Sequence, residues 1–295
     1  MTPPIEPHDR LTEIKAIHRD YHNFYQLLRG VVLVAVLAGI GVLIFSSDLP
    51  SYWQNIYVTV VGAIGTVLII DQRAEQRAIR QRKEELILQM GSPDNGFAIE
   101  AVRLLRQKGW LTDGSLRRAR LWGANLKQAD LSGANMQEVQ LAGANLQGAI
   151  LAKANLEGSQ LSGVNLQGAI LVEANMRRST MLWKANLQGS TLWRVDLRDS
   201  QLPGVQMQGA QLEQANLQGA VLRGSYLQGA NFGEANLMNA VLTRAKCDSE
   251  TILPDDSTWE PDTDFNVFTD PAHVFFWRSE NPYSPAYRAL SESSA

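Results

Sequence analysis

From Leu116 to Ile252 an apolar residue returns at every fifth position. It falls at Leu116, Leu121, Leu126, Leu131, Met136 and Leu141 and keeps step to Met181. The pattern resumes one residue late at Leu187, then continues through Leu192, Leu197 and Leu202 to Leu242, Cys247 and Ile252. Two positions ahead of nearly every one stands a small residue, as at Ala124, Ala134, Ala144, Ala154, Ala174, Ala185, Ala215 and Ala235. A period of five matches neither the 3.6 of a helix nor the 2.0 of a strand, and a fixed self-similar period marks a repeat architecture. Five residues per side and four sides per turn predict a square coil in which each side sends one large and one small residue inward. The small residue stays small because the interior is narrow. The Leu recurs because each coil buries its apolar face only against its neighbours. The 28 apolar positions make seven coils, and at one strand spacing per coil the rod is about 34 Å long.

Ahead of the rod the pattern changes to long uncharged stretches. Residues 1–9 are Pro-rich, and Leu11, Ile14, Ile17, Tyr21, Phe24 and Leu28 predict an amphipathic helix from Arg10 to Arg29. It either lies along a membrane surface or leads into the next segment. Gly30–Ser47 and Leu49–Ile70 hold no charged side chain apart from Asp48 between them, and each is long enough for a transmembrane helix. Tyr52, Trp53 and Tyr57 stand where an aromatic belt would lie. The short link from Ser46 to Ser51 makes residues 30–70 a two-helix transmembrane hairpin. Arg10, Lys15, Arg19 and Arg29 precede it, and Arg73, Arg77, Arg80, Arg82 and Lys83 follow it. The positive-inside rule then places both termini and the rod in the cytoplasm, with a bacterial inner or plasma membrane as the expected site. A secretory signal peptide is excluded by the late start, the missing small-residue cleavage site and the second span. A buried core hairpin of a soluble protein is the alternative. Gly39, Gly41, Gly62 and Gly65 give the spans small faces for packing within one chain or in a homo-oligomer.

Residues 71–91 are rich in Arg, Gln, Glu and Ala and predict a charged helical stalk that Gly91 ends. Residues 92–111 predict a capping helix, with Ser92 as its cap and Pro93 in its first turn. Phe97, Ala98, Ala101, Val102, Leu104 and Leu105 form its apolar stripe, followed by Gly109, Trp110 and Leu111. Such a helix closes the open end of the first coil, which would otherwise expose Leu and unpaired backbone. The same segment could instead bind a partner. Residues 253–295 form an aromatic, acidic tail containing Trp259, Phe265, Phe268, Phe275, Phe276, Trp277, Tyr283 and Tyr287. Residues 253–277 are expected to fold back over the last coil, and 278–295 carry no pattern that assigns them.

The triplets Ala124-Asn125-Leu126, Ala134-Asn135-Met136 and Ala144-Asn145-Leu146 resemble the pentapeptide-repeat family, over residues 112–252. The resemblance implies an all-β solenoid, a right-handed quadrilateral β-helix of about seven coils. Here two transmembrane α-helices and a capping α-helix precede it.

Charge and chemistry narrow the function. The net charge of −3 arises in the tail, since residues 111–252 hold 13 basic and 11 acidic side chains. Cys247 occupies an apolar slot and reads as a buried, inert thiol. His18 and His22 share a helical face without Cys or a clear carboxylate, too little for a metal site. No phosphate-binding loop or nucleophile elbow occurs. Gly133, Gly143 and Gly148 recur at turn positions of the coil. No catalytic residue, cofactor-binding residue or metal ligand is assigned, no cofactor is expected, and the sequence argues against an enzyme. Asn135, Asn155, Asn175, Asp196, Asn216 and Asn236 are expected to stack on one face as a ladder of amides.

The irregular stretch 177–199 holds five of the rod's basic residues and two Trp. Arg177, Arg178, Trp183, Lys184, Trp193, Arg194 and Arg198 form the candidate protein-interaction patch, with Trp beside cations as in interface anchors. A bulge left by repeat duplication, covered by the Trp, explains the same residues without a partner. Trp122 shows that an outward Trp also occurs away from any cationic cluster. The expected function is a membrane-anchored, non-enzymatic scaffold on the cytoplasmic face, held by residues 30–70 and presenting its surface to a protein partner. Some members of the family imitate DNA and bind gyrase, which is the rival reading. A near-neutral rod fits it poorly, since duplex DNA carries a charge every ~1.7 Å, and nucleic acid is not an expected partner. An oligomeric pore or sensor regulated by the rod is a third reading, with no charged intramembrane residue to support it.

Overall fold

The computed structural model describes residues 51–181 and 184–288. The N-terminal segment 1–29, the first span, the linking loop, His18 and His22, Trp183, and residues 289–295 lie outside the described residues. The chain divides into two units, residues 1–78 and 79–295.

Helix α1 (Ser51–Met90) carries the second uncharged stretch and the stalk without interruption. Asn55–Met90 is long and apolar enough to cross a membrane. Within the first unit Val58, Val60, Val67, Ile69 and Ile70 stand exposed. The Thr59 and Thr66 hydroxyls donate to the Asn55 and Gly62 carbonyls, so these polar groups are satisfied within the helix.

In the second unit the C-terminal turns of α1 bury Leu86 and Met90. Lys83 pairs with Asp113 at 2.5 Å and lies 5.2 Å from the Trp110 ring centre. The helix ends before Gly91, whose N–H donates to the Ile87 and Leu88 carbonyls. Helix α2 (Asn95–Gln107) starts later than the sequence suggests. Its cap is Asp94, whose carboxylate accepts from Phe97 N–H, while the Ser92 hydroxyl accepts from Asp94 N–H. The buried stripe is Ala98, Ala101, Val102 and Leu105, at helical spacing. Phe97 lies one position off that stripe and is 61% exposed.

The rod is built from β-turns rather than from strands. In the regular pentapeptides the N–H three residues after the large apolar residue donates back to its carbonyl, as from Ala124 to Leu121 (3.2 Å) and from Ala144 to Leu141 (2.9 Å). The residue two after the apolar one takes positive φ, from Gly143 (68°) to Lys153 (58°) and Arg194 (55°), as a type II turn requires. At Gly143 an added Cβ would meet nothing within 4 Å, so Gly there answers to backbone conformation and not to crowding. Between turns each side contributes one bridging residue, and among the described residues no longer strand forms.

Bridges join residues twenty apart and sort the sides into four faces. Face one runs Arg120, Gln140, Gln160, Thr180, Gln201, Val221, Val241; face two Asn125, Asn145, Asn165, Asn186, Gln206, Tyr226, Lys246. Face three runs Asp130, Ile150, Ile170, Thr191, Gln211, Asn231, Ile252; face four Asn135, Asn155, Asn175, Asp196, Asn216, Asn236. Each bridge is two-sided: Leu126 N–H donates to Asn145 O (2.7 Å), and Asn145 N–H to Ala124 O (2.9 Å). Inside, Leu121, Leu126, Leu141 and Leu151 are fully buried, as are Ala124, Ala134 and Ala154. Where the small slot holds Ser, the hydroxyl can donate to an inner carbonyl, as Ser200 does to Met176 (3.0 Å) and Ser225 to Leu202 (2.9 Å).

Two one-residue insertions appear where the sequence shows one. Across the first, Asn165 bridges Asn186. The second lies after Lys246, since Asn231 bridges Ile252 rather than the residue before it. Ile252 is therefore a bridging residue and not the inward one. Buried Thr251 takes the small slot, its hydroxyl donating to Leu227 O, and Leu253 is the inward residue at 3% exposure.

The tail holds two short helices, α3 (Asn266–Thr269) and α4 (Pro285–Arg288). Phe268 is buried with the last coils, and Thr269 O accepts from Asn239 N–H at 2.7 Å. Beyond residue 277, which the sequence left unassigned, Ser279 and Ser284 are buried against the rod.

Candidate protein-interaction site

A pentapeptide advances the chain by a quarter turn, so residues ten apart fall on opposite sides of the rod. This rule redistributes the patch around residues 177–199. Arg177, Arg178 and Arg198 share the corner between faces four and one, where Arg178 N–H donates to Arg198 O (3.0 Å). Trp193 and Arg194 occupy the corner between faces three and four, with the guanidinium 5.0 Å from the indole centre. Lys184 lies on the diagonally opposite corner, between faces one and two, and is not part of that surface. The structure thus brings five of the seven residues to face four and its two edges. Trp183 lies outside the described residues.

Both edges are laced with ion pairs running from coil to coil. Arg194 lies 3.9 Å and Lys153 3.7 Å from Glu173, and Arg178 lies 3.8 Å from Glu157. Arg118 pairs with Glu138 at 2.7 Å, and this fully exposed pair lowers the Glu138 pKa by its hydrogen bond. Exposed pairs of this kind contribute little to stability, and face four together with its two corners holds seven basic and seven acidic side chains from Leu116 onward.

On face four itself the expected amide ladder forms only in part, since Asn135 Oδ1 is buried without a hydrogen-bond partner. Asn175 Nδ2 donates to Asn155 Oδ1 (3.2 Å), and Asn236 Nδ2 to Asn216 Oδ1 (3.3 Å). Asp196 interrupts it, because a carboxylate has no N–H to pass on. Its oxygens accept instead from Arg198 Nε (2.9 Å) and Nη2 (2.6 Å). At this break a cleft of about 320 Å³ opens, lined by Arg194, Asp196, Arg198, Asn216 and Asn236, with Tyr283 and Pro285 of the tail. The tail is held by Glu234: Ser284 Oγ donates to its carbonyl (2.8 Å) and Ser279 Oγ to its carboxylate. Tyr283 is 75% exposed at the rim. The cleft offers amides, guanidinium groups and a phenol, which suit hydrogen bonding to a polypeptide; it does not set a nucleophile beside a base.

The tail's part in this cleft was missed from sequence, because Ser279 and Ser284 belong to no repeat. Cys247 is half-buried rather than buried as read from the sequence; partial burial, reinforced by Asp248, still pushes its thiol up to about 11. Among the described residues no group of His, Cys, Asp and Glu is placed to hold a metal.

A family model for pentapeptide repeats matches eight copies here, over residues 115–151, 140–178, 182–219 and 215–246. Among solved structures, HetL is a pentapeptide repeat protein involved in heterocyst differentiation regulation, from the cyanobacterium Nostoc sp. strain PCC 7120. It is 29% identical, covering 49% of this chain and 82% of its own, with a TM-score of 0.29. Rfr23, a pentapeptide repeat protein from the cyanobacterium Cyanothece 51142, is 33% identical over 45% of this chain and 86% of its own, TM-score 0.23. QnrB1, a plasmid-mediated fluoroquinolone resistance protein, is 18% identical over 45% and 81%, TM-score 0.24. No curated protein matches the chain.

Proposed function

From the premise that this chain belongs to the pentapeptide-repeat family and its rod is a right-handed β-helix solenoid, we propose that it is a membrane-anchored, non-enzymatic scaffold. The rod faces the cytoplasm and presents face four to a protein partner. The observation that carries the reading is α1. Its stretch from Asn55 holds no charge until Asp71, and Val58, Val67 and Ile70 are each about 60% exposed. Such a surface is costly in water and favourable in hydrocarbon. With the uncharged stretch 30–47 it makes a two-span hairpin, oriented by the cations on either side. Helix α2 caps the first coil: Asn95 Nδ2 donates to Asn125 O (3.0 Å) and Lys127 O (3.1 Å), and Arg106 to Asp130 O (2.7 Å). The tail closes the other end, and with both ends closed the rod offers its sides for binding. Gyrase binding by imitation of DNA has less support, because face four and its corners hold as many basic as acidic side chains.

The test is fractionation from native cells with carbonate washing and protease treatment of spheroplasts, then capture from the detergent extract with wild-type chain and with Trp193→Ala/Arg194→Glu. Carbonate-resistant, protease-shielded chain whose partner is lost with the double variant supports the reading. A soluble chain overturns it.

A further inference from the structure

The quarter-turn rule sorts charge as well as apolar residues. Face four and its corners carry acidic and basic side chains in equal numbers, whereas faces one and two and the corner between them carry cations alone. These are Arg120, Lys184, Arg223, Arg244 and Lys246, all exposed, with no acidic residue from Arg120 to Lys246 on that side. Among the described residues Lys184, Arg223 and Arg244 form no ion pair, while Lys246 lies over the Tyr226 ring at 4.5 Å. Between the cations the corner is low, being built of Ala142-Gly143, Ser162-Gly163 and Pro203-Gly204. At its start Trp122 is 59% exposed.

We infer that this edge rests on the headgroups of an anionic bilayer, an inference that rests on the membrane reading above. A straight edge meets a flat surface along its whole length, whereas it meets a second convex cylinder, such as a nucleic-acid duplex, only over a short contact. Cations near such a surface are attracted by its negative potential within about a Debye length, ~10 Å, and each one removed lowers the apparent affinity roughly fivefold. An exposed Trp on the same edge suits the polar–apolar boundary of a bilayer. The opposite side, face four with its cleft, is left turned to the cytoplasm.

The test uses the full chain in Cys247→Ser background, reconstituted into vesicles of phosphatidylcholine alone or mixed with phosphatidylglycerol. A polarity-sensitive label is placed at Ser162→Cys on the cationic corner or at Val172→Cys diagonally across the same coil, and flotation after a carbonate wash reports insertion. The expected result is that Ser162 loses access to an aqueous quencher in anionic vesicles and regains it in high salt, while Val172 stays accessible in both lipids. Lys184→Glu/Arg223→Glu/Arg244→Glu then restores access at Ser162 while the chain still floats. If the chain floats but Ser162 is equally accessible in both lipids, the edge inference falls and the anchor stands. If the chain does not float, the anchor reading falls, and sedimentation with added vesicles decides the edge. Cation-dependent binding to anionic vesicles supports it, and no binding, or preference for a duplex oligonucleotide, overturns it.

Discussion

Asn165 bridges Asn145 twenty residues behind it and Asn186 twenty-one ahead. The inward set keeps its place on both sides of the extra residue, since Met181 before it and Ala185 and Leu187 after it are all fully buried. Deleting Trp183 should therefore leave the fold intact and change stability by less than about 1 kcal/mol, a shift of at most ~4 °C in Tm. Adding one Ala between Asn145 and Leu146 shifts the inward set of a coil and should lower Tm far more. Thermal unfolding followed by circular dichroism compares the two, and equal Tm losses would contradict this account of the register.

The inward slots differ in size, and the rod should resist change in both directions. Leu156→Ala removes a side chain that is 1% exposed and should cost about 2–5 kcal/mol. Ala154→Leu overfills a slot with no exposure and should cost at least ~1–3 kcal/mol. Denaturant titration measures both, read coil by coil, since a solenoid unfolds through neighbour interfaces.

Glu234 holds the tail by its carbonyl and its carboxylate. Ser284→Ala combined with Glu234→Ala should release residues 278–288 without unfolding the rod. Chymotrypsin cutting after Tyr283 should then accelerate at least tenfold while the repeat signal in circular dichroism stays constant. Unchanged cutting would mean that other contacts hold this segment.

Asp113 ties α1 to the second unit's first turns. Burial raises its pKa, but the Lys83 hydrogen bond and those from Ser115 outweigh burial and leave the value lowered. A carboxylate with a depressed folded pKa contributes stability above its unfolded value of ~3.9, and loses it as pH falls through the folded value. Asp113→Asn should thus lower Tm at pH 7, and the gap from wild type should close as pH falls below the unfolded carboxylate range. A gap independent of pH would assign the loss to packing.

The coil, the inward Leu and Ala slots and the stacked Asn of face four were legible in the sequence because they repeat. A period of five with no helix or strand equivalent leaves few geometries. The second insertion was not, since Ile252 kept the apolar period while Thr251 and Leu253 had taken the inward slots. The Asp94 cap was hidden behind Ser92 and Pro93, two plausible starters standing closer to Gly91. The patch was misgrouped for a simple reason: Lys184 and Arg194 are ten apart in sequence, and ten residues are half a turn of the rod.

The sequence by itself determined what each regular repeat must do: which residues face inward, where the chain turns, and how many sides the rod has. Hydrophobic periodicity and turn chemistry are local and act the same way in every copy. The tertiary structure alone decided which side chains share a surface, because that depends on the twenty-residue turn and its two extra residues summed along the chain. Through that sum, charges of both signs collected at face four, cations alone collected on the far corner, and two serines of the tail reached Glu234 beside the cleft.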